Sequence, residues 1–454
     1  MQKKFLSLLL ILILCVAMML SGCADRKKPS ADHPVTLTMW HVYGSQTESP
    51  LNTAIDEFNR TVGKEHGVTI NVVSVTSSSA IDQALSASTN GEPGAEKLPD
   101  LFTAYPRVVQ IVGQEKLLSW GDYFSESELS QFKGEFLEEG YFDGNLLMLP
   151  IAKSTEAFYL NKTLFDRFSK ETGINVTDLT TFDGIFDASK TYYDWSGQRH
   201  FLQLNDYYNY AFVGMKAYDK AFIKEGKLQI DDSAFRNIWM PLAEAAIYGG
   251  ICLDDGYAAS RWKTAEIIAN TGSTADVLYQ PDEVIYEDNR IEQITAVAMP
   301  YPLFKENKKA AVHRGGGLFA IKSEDERKNY GAYLFAKWLT EKEHNLDFVT
   351  ATGYLPVTNE GFDALLADID VVKNKKYHSL YTSVGTMAED YELYQLPLYD
   401  RASEVQQTFE ENVKYVLRGA RQEYLKQSGG SKDQALLTQL AESSLKQLIR
   451  ITNE

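Results

Sequence analysis

The sequence predicts an α/β fold that is divided into more than one domain. Stretches that are apolar at every second residue alternate along the chain with stretches of helical periodicity, at lengths that suit βαβ units. A chain of 454 residues exceeds what one hydrophobic core usually holds and is sufficient for two or three domains. The content of 44% hydrophobic and 24% charged residues is typical of globular proteins.

The N-terminal part predicts a regular succession of strands and helices. Residues 35–40 (VTLTMW) are apolar at every second position and predict a strand. Residues 49–50 (Ser-Pro) supply a cap and a first turn for a helix. Residues 68–75 predict a second strand, a second helix begins at Ser79, and residues 99–104 predict a third strand. This order predicts a largely parallel sheet.

Three interruptions divide the rest of the chain. Pro150 separates two apolar runs within residues 146–161. A predicted strand at 294–300 is followed by three consecutive glycines at 315–317. The segment TGYLPVT at 352–358 then breaks a helical region.

The end of the chain predicts a long helix. Ser431 and Gln434 have the spacing of a capping box. The apolar residues behind this box form one stripe: Leu436, Leu437, Leu440, Leu445, Leu448 and Ile449.

The first 22 residues predict an export signal. Lys3 and Lys4 precede a run from Phe5 to Leu20 in which Ser7 is the only polar residue. The alternative is a permanent transmembrane anchor, although a spanning helix needs about 20 apolar residues and this run is shorter.

Residues 20–23 (LSGC) resemble the lipobox of bacterial lipoproteins. The resemblance implies that Cys23 receives a diacylglycerol and becomes the first residue of the mature chain; the alternative is a buried or accidental cysteine. Residues 23–34 are polar, lack apolar periodicity and predict a flexible tether. The protein is therefore expected outside the cytoplasm, held on the cell membrane by lipid alone.

Cysteine usage and charge restrict the function further. Outside the signal and the lipid site only Cys252 remains, so no internal disulfide is expected. The formal net charge of −17 argues against nucleic acid as a partner, because no strong basic patch is present. We draw no conclusion about the charge of a ligand from this value.

Six segments in order resemble the extracellular solute-binding proteins of ATP-driven (ABC) importers, in the group of carbohydrate and glycerol-phosphate binders. The segments are LTMWHVYGSQTESPLNTAIDEFN (37–59), LPDLFTAY (98–105), LLMLPIAKSTEAFYLNKTLF (146–165), AEIIANTGS (265–273), GGGLFAIKS (315–323) and TGYLPVT (352–358).

The resemblance implies a two-lobed, type II periplasmic-binding-protein-like fold with hinge-joined α/β lobes and a ligand cleft between them. Lobe 1 would comprise residues 35–152 and 314–357, and lobe 2 residues 153–313 and 358–454. It also implies a monomer that delivers a small solute to a membrane permease, without cofactor or metal.

The resemblance also implies ligand contacts by position. These are Ser154, Thr155, Gly272, Ser273, Gly316, Gly317 and the hinge tyrosine Tyr354, with Tyr207 and Tyr208 in place of a stacking tryptophan. Three positions depart from the family pattern: a tyrosine expected near 76 is absent, a glutamate is replaced by Pro106, and the nearest substitute for an expected arginine is Arg401.

Several of these residues have a structural alternative. Trp40 and His41 end the first strand, where binding crevices form; Trp40 is equally suited to the core, and His41 fits a hydrogen-bonding role better than metal ligation. The glycines at 315–317 either present backbone amides to a ligand or form a bend in the chain. Of the tyrosines at 207–210, one or two are expected in the core.

A secreted carbohydrate-active enzyme is the opposing class. The chain contains no HExxH, GxSxG or phosphate-binding loop, and Ser443 with Lys446 lacks the partner motifs that an SxxK enzyme requires. The sequence therefore favours a non-enzymatic binding protein for a small carbohydrate, with a polyol phosphate as the alternative ligand.

Overall fold

The chain is divided into two units whose boundaries lie at its interruptions. The computed structural model describes residues 28–43, 49–74, 78–304, 308–369, 374–397, 399 and 401–453. Unit 1 comprises the described residues up to Lys153, with Gly315–Ala351 and Leu355–Asp363. Unit 2 comprises Ser154–Arg314, Thr352–Tyr354 and the described residues from Ala364 onwards.

This partition departs in detail from the lobes expected from the sequence. Residues 352–354 belong to unit 2, whereas residues 358–363 belong to unit 1. The signal segment 1–22 and Cys23 lie outside the described residues.

The strands of the described residues, in chain order, are β1 (Val35–His41), β2 (Val68–Ser74), β3 (Leu101–Ala104), β4 (Tyr141–Phe142), β5 (Asn145–Leu146), β6 (Ser154–Asn161), β7 (Leu202–Leu204), β8 (Ile223–Lys224), β9 (Lys227–Leu228), β10 (Ala269–Ser273), β11 (Glu283–Ile285), β12 (Ile291–Gln293), β13 (Ala296–Pro300), β14 (Ala310–Arg314), β15 (Gly317–Ala320) and β16 (Glu392–Tyr394).

The α-helices of the same residues are α1 (Pro50–Arg60), α2 (Val62–His66), α3 (Ser78–Asn90), α4 (Val108–Val112), α5 (Glu126–Leu129), α6 (Gly134–Glu138), α7 (Lys162–Thr172), α8 (Phe182–Trp195), α9 (Tyr207–Ala217), α10 (Ser233–Tyr248), α11 (Ala258–Lys263), α12 (Glu326–Thr340), α13 (Lys342–Thr350), α14 (Asn359–Ala367), α15 (Lys375–Asp390), α16 (Ala402–Ser428) and α17 (Gln434–Asn453).

Unit 1 is built on a four-stranded sheet in the order β15-β3-β1-β2. Strand β1 is parallel to both β2 and β3, and β15 is antiparallel to β3. The strands predicted at 35–40, 68–75 and 99–104 are confirmed, and the sheet is largely parallel as expected. Phe102 of β3 and Phe319 of β15 stack at 5.3 Å between ring centroids and join the core.

Helix α1 covers this sheet as its sequence predicts. The Ser49 hydroxyl accepts a hydrogen bond from the Asn52 N–H, which caps the helix, and Pro50 occupies the first turn. The apolar face buries Leu51, Ile55 and Phe58.

Unit 2 contains a sheet in the order β16-β14-β6-β10-β7, with β13 also paired to β6. Strand β6 is antiparallel to β10, β13 and β14, whereas β10 is parallel to β7. All eight residues of β6 are buried. A strand that is covered on both faces in this way is the centre of its unit.

The C-terminal helices pack on α10 in unit 2. The Trp239 indole of α10 donates a hydrogen bond to the Ser444 hydroxyl of α17 at 3.2 Å. The predicted capping box is wrong: the Asp433 carboxylate accepts from the Leu436 N–H at 2.9 Å, whereas the Ser431 hydroxyl donates to a carbonyl of the preceding helix. Asp433 lies closer to the first turn, so it replaces Ser431 as the cap.

Lys153 connects the three unit 1 segments that lead to or from unit 2. Its backbone N–H and C=O form an antiparallel bridge with Leu355, at 3.2 and 2.6 Å. Its ammonium group is fully buried, 2.6 Å from the Glu139 carboxylate, and donates to the Gly315 carbonyl at 3.0 Å. Burial lowers the pKa of Lys153, and the Glu139 charge opposes this effect.

Among the described residues, no helix is long and apolar enough to cross a membrane.

Replacing Lys153 with methionine should destabilise the protein by about 3–5 kcal/mol, because the buried Glu139 would lose the compensating Lys153 charge. Urea denaturation followed by tryptophan fluorescence measures this loss. The exposed Lys64→Met is the matched control and should change stability by less than about 0.5 kcal/mol. Lys153→Met/Glu139→Met should recover most of the loss; no recovery would contradict the ion-pair explanation.

Candidate functional site

The candidate site lies at the edge of the unit 2 sheet where β7, β10 and β14 end and β6 begins. Ser273 pairs with Glu156, and Arg314 pairs with Ser154. Asn205 directly follows β7, which runs parallel to β10. Loops at the carboxyl ends of strands form the binding crevices of α/β proteins, so this edge is where a ligand is expected.

The segment 352–354 packs on the same edge. Gly353 has a φ of 74°, in the left-handed region that favours glycine. A Cβ atom at this position would lie 2.7 Å from the Thr274 carbonyl oxygen and 2.4 Å from a Val277 methyl carbon. Gly353 therefore permits this close approach, and the half-buried Tyr354 follows it directly.

Glu156 is the buried anion at the start of β6. Its Oε1 accepts hydrogen bonds from the Asn209 amide at 2.6 Å and from Arg314 Nη1 at 2.8 Å. The second guanidinium nitrogen lies 3.7 Å from the Asp206 carboxylate. Burial raises the pKa of Glu156, and the Arg314 charge opposes this effect. The single guanidinium thus bridges two carboxylates.

Two carboxylates share the N-terminus of α9. Asp206 is the N-cap and accepts from the Asn209 N–H at 2.8 Å, while Glu410 of α16 accepts from the Tyr208 N–H at 2.6 Å. Burial and the neighbouring Asp206 charge raise the pKa of Glu410. The helix dipole stabilises negative charge here, and the protonated carboxyl of Glu410 donates a hydrogen bond to Asp206.

Asp276 lies in the 3₁₀ turn Thr274–Leu278 that follows β10. It accepts hydrogen bonds from the Asn205 side chain and the Ser273 backbone N–H, and burial raises its pKa to about 6. A Cβ atom at Gly272 would lie 2.1 Å from the Asp276 carboxylate. Glycine is therefore required at 272 for this carboxylate to reach the edge.

Sequence reasoning missed these four carboxylates, which we call the acidic cluster: Glu156, Asp206, Asp276 and Glu410. Glu156 lies inside a segment singled out for the neighbouring Ser154 and Thr155, and Asp206 directly precedes Tyr207. The available signal was Glu156 itself, which directly precedes the apolar residues 157–160 of the same strand. A charged residue in such a strand is rarely buried without a partner.

Ser154 and Thr155 lie at this edge, and Thr155 forms hydrogen bonds to other residues of unit 2. The Thr155 hydroxyl donates to the Val312 carbonyl at 3.0 Å, and the Thr155 N–H donates to the Thr274 hydroxyl at 3.4 Å. The Ser273 hydroxyl accepts from the Ala275 N–H at 3.2 Å. These contacts fix the edge.

Trp40 and His41 have structural roles in unit 1, one in the core and the other in hydrogen bonding. The ring of Trp40 packs in the core beside Phe102. The buried His41 accepts from the Tyr43 N–H at Nδ1, so its Nε2–H is the donor to the Asn52 side chain at 2.8 Å. Burial lowers the pKa of His41, which favours the neutral ring.

Gly316 and Gly317 permit close packing where the chain enters β15. A Cβ atom at Gly316 would lie 2.3 Å from the Ala104 carbonyl oxygen, and one at Gly317 would lie 2.6 Å from that of Leu149. Both glycines therefore have a structural reason, independent of any ligand.

Tyr207 and Tyr208, the two residues expected to stack on a solute, lie in the interior of unit 2. Their exposed fractions are 1% and 3%. Tyr208 packs edge-on against Phe222 at 5.2 Å, and its hydroxyl lies 3.1 Å from that of Tyr399. Neither ring offers a free face to a solute.

Arg401 begins α16 at the surface. Its side chain is 68% exposed and forms an ion pair with Glu404 of the same helix. None of the hydrogen bonds and ion pairs given above joins Arg401 to the acidic cluster.

One further group has potential metal ligands: Cys252, Asp254 and Glu266, whose ligand atoms lie within 4.8 Å of one another. Arg261 forms an ion pair with Glu266. This guanidinium already compensates the carboxylate, so the group has a structural explanation.

The fold and the site can now be compared with known proteins. The family model described as bacterial extracellular solute-binding protein matches residues 53–377, more than half of the chain. No curated protein sequence matches the chain.

Solved structures of binding proteins share the fold. The cyclic α-maltosyl-1,6-maltose binding protein of Arthrobacter globiformis has a TM-score of 0.65 at 16% identity, over 92% of this chain and 99% of that one. The maltose-bound MalE3 of T. maritima has a TM-score of 0.64 at 15% identity, with the same coverage. UgpB of Mycobacterium tuberculosis, in complex with glycerophosphocholine, has a TM-score of 0.64 at 16% identity, over 92% and 98%.

These similarities establish the two-lobed α/β binding-protein fold, as the sequence predicted. The match to the family model identifies the chain more narrowly: it belongs to the bacterial extracellular solute-binding protein family.

Asp276 should make the protein less stable as the pH rises. Because its pKa is raised in the folded state, to about 6, its stabilising contribution is complete below its unfolded pKa and is lost as the pH rises through 6. Between pH 4 and 7.5 the wild type should lose up to roughly 3 kcal/mol relative to Asp276→Asn. Chemical denaturation at each pH measures the difference.

The exposed Asp231→Asn in unit 2 is the control and should follow the wild type at every pH. A difference between wild type and Asp276→Asn that is constant with pH would contradict the raised pKa.

Proposed function

We propose that this protein is the substrate-binding component of an ABC importer that captures a small carbohydrate outside the cytoplasm and delivers it to a membrane permease. Family membership is the observation that carries this proposal. The neighbours whose titles name maltose or cyclic maltosyl-maltose support a carbohydrate, although at this identity they establish the fold alone.

The geometry of unit 2 supports a ligand at the sheet edge where β7, β10 and β14 end. Backbone and side-chain polar groups from several strand ends meet there, as they do in the binding crevices of α/β proteins. We propose Tyr354, Gly272 and Ser273 as solute contacts. Tyr354 is half-buried beside the fixed Gly353, so its ring is placed precisely while part of it stays accessible.

We also propose the other positions implied by the family resemblance as solute contacts, although each of them has an intramolecular role. Four of these positions lie close to where the chain passes from one unit to the other, and they also have structural roles: Ser154, Thr155, Gly316 and Gly317. His41 and Arg401 have intramolecular partners that a solute would need to replace.

A polyol phosphate is the alternative solute. UgpB, whose title names glycerophosphocholine, supports this class to the same extent as the other neighbours support a sugar. We further propose that the solute is released unchanged, because the sequence contains none of the catalytic motifs considered above.

The proposed lipid on Cys23 predicts where the protein is found in the producing cell. Cys23→Ser should move it from the membrane fraction to the soluble extracytoplasmic fraction, or leave it unprocessed, because the acyl chains supply the anchor. Fractionation and mass spectrometry of the N-terminal peptide measure this. An unmodified N-terminus in the wild type would contradict the lipid assignment.

Thermal melting of the full chain in detergent tests solute capture. The panel contains mono- and oligosaccharides, sugar alcohols, glycerol phosphate and glycerophosphodiesters. A solute present at about a hundredfold over its dissociation constant should add roughly 2.7 kcal/mol to the folded state and raise the midpoint visibly. NMR of the recovered solute checks that it is unchanged.

Tyr354→Ala should weaken binding of that solute at least tenfold, because the proposed contact is lost. Tyr257→Ala is the control, since Tyr257 is 86% exposed and lies elsewhere in unit 2. Equal binding by both variants would remove Tyr354 from the site, and consumption of a glycan would overturn the non-enzymatic assignment.

A further inference from the structure

The acidic cluster contains more negative charge than its cation compensates. Arg314 is placed between Glu156 and Asp206 and is already engaged by both. Lys414, the other cation near Glu410, forms an ion pair with Asp255 at 3.0 Å. Burial raises the pKa of Asp276 to about 6 and that of Glu410 to about 9, so Glu410 is protonated at neutral pH. Because Arg314 pairs with Glu156, the uncompensated charge belongs to Asp206 and Asp276.

Two of the buried side chains beside the cluster carry an acceptor without a partner among the described residues. Asn209 is 1% exposed, and its Nδ2 donates to Glu156, which leaves Oδ1 without a partner among the described residues. This amide orientation is fixed because the reverse one would place Oδ1 against the Glu156 carboxylate. Gln203 Oε1 is likewise buried without a partner in the described chain, and its Nε2 donates to Asn205.

The donors that face Glu156 and Asp276 are already engaged. Asn205 and the Ser273 N–H donate to Asp276, and the Arg314 guanidinium donates to Glu156. The cluster is also reachable, because the side chains of Asp206 and Arg314 are 12% and 29% exposed and Asn205 is exposed. A solute at this edge must therefore supply hydrogen-bond donors.

We propose that the acidic cluster makes this site selective for solutes that donate hydrogen bonds and carry no negative charge, so that phosphate-bearing solutes are rejected. This inference rests on the proposed function and narrows it. A hydroxyl group of a sugar donates to a carboxylate, whereas a phosphate monoester carries about −1.5 to −2 charges at pH 7 and is repelled by carboxylates. The cluster thus distinguishes the two solute classes that the sequence leaves open.

Inorganic phosphate is the first probe, because it requires no knowledge of the natural solute. Calorimetric titration of phosphate into the full chain at pH 7.5, with ionic strength held constant by chloride, should give no saturable binding to the wild type. Asp206→Asn/Asp276→Asn should gain saturable binding in the millimolar range, since Arg314 loses one carboxylate partner and Asp276 loses its charge. The exposed pair Asp231→Asn/Asp347→Asn should show no gain.

Saturable phosphate binding to the wild type would overturn the inference, and so would a double variant that gains none while its melting curve shows a folded protein. If the double variant does not fold, each single substitution serves in its place with the same criteria.

Matched solutes form the second arm: glucose with glucose 6-phosphate, maltose with maltose 1-phosphate, and glycerol with glycerol 3-phosphate. In any pair that binds, the neutral member should bind at least tenfold more tightly; a phosphorylated member that binds equally well overturns the inference. If no member binds, the proposed function fails for these solutes, while the phosphate arm still decides the charge selectivity.

Discussion

The buried ammonium group of Lys153 is the contact on which the chain's organisation depends. The chain leaves or enters unit 1 at Lys153, Gly315 and Leu355, and this one residue bonds to the other two through its side chain and backbone. The charge is tolerated in the interior because Glu139 is 2.6 Å away. Three segments far apart in sequence are thereby held at fixed positions by a single residue.

The strand-end edge of unit 2 has a different electrostatic character from the interior of unit 1. Arg314 is surrounded by carboxylates rather than paired with one, and Gly272 leaves the space that Asp276 occupies. Unit 1 thus neutralises its buried charge, whereas unit 2 concentrates negative charge and unused acceptors at the ends of its strands. An arrangement that does not contribute to folding stability at neutral pH is commonly retained for recognition.

Local patterns predicted the elements well and the site poorly, for identifiable reasons. Strand β1 and helix α1 follow from alternation and from the Ser49 cap, which are properties of adjacent residues. The cap of the last helix was misassigned because Ser431 and Asp433 both satisfy the composition rule and only geometry separates them. Tyr208 takes the position of a stacking tryptophan in the family resemblance, but its burial depends on packing that no short segment encodes. Glu156 was missed because its partners lie 53 and 158 residues away.

The interleaved order of the two units determines when each can fold during synthesis. The unit 1 sheet needs β15, in which Phe319 pairs with Phe102 of β3 although 217 positions separate the two residues. Lys153 cannot bond to Gly315 or Leu355 until those residues have been made. Strands β1, β2 and β3 can pair with one another early, but the outer edge of β3 must stay unpaired until most of the chain exists. A nascent chain of this topology depends on slow folding or on protection by chaperones until its C-terminal third emerges.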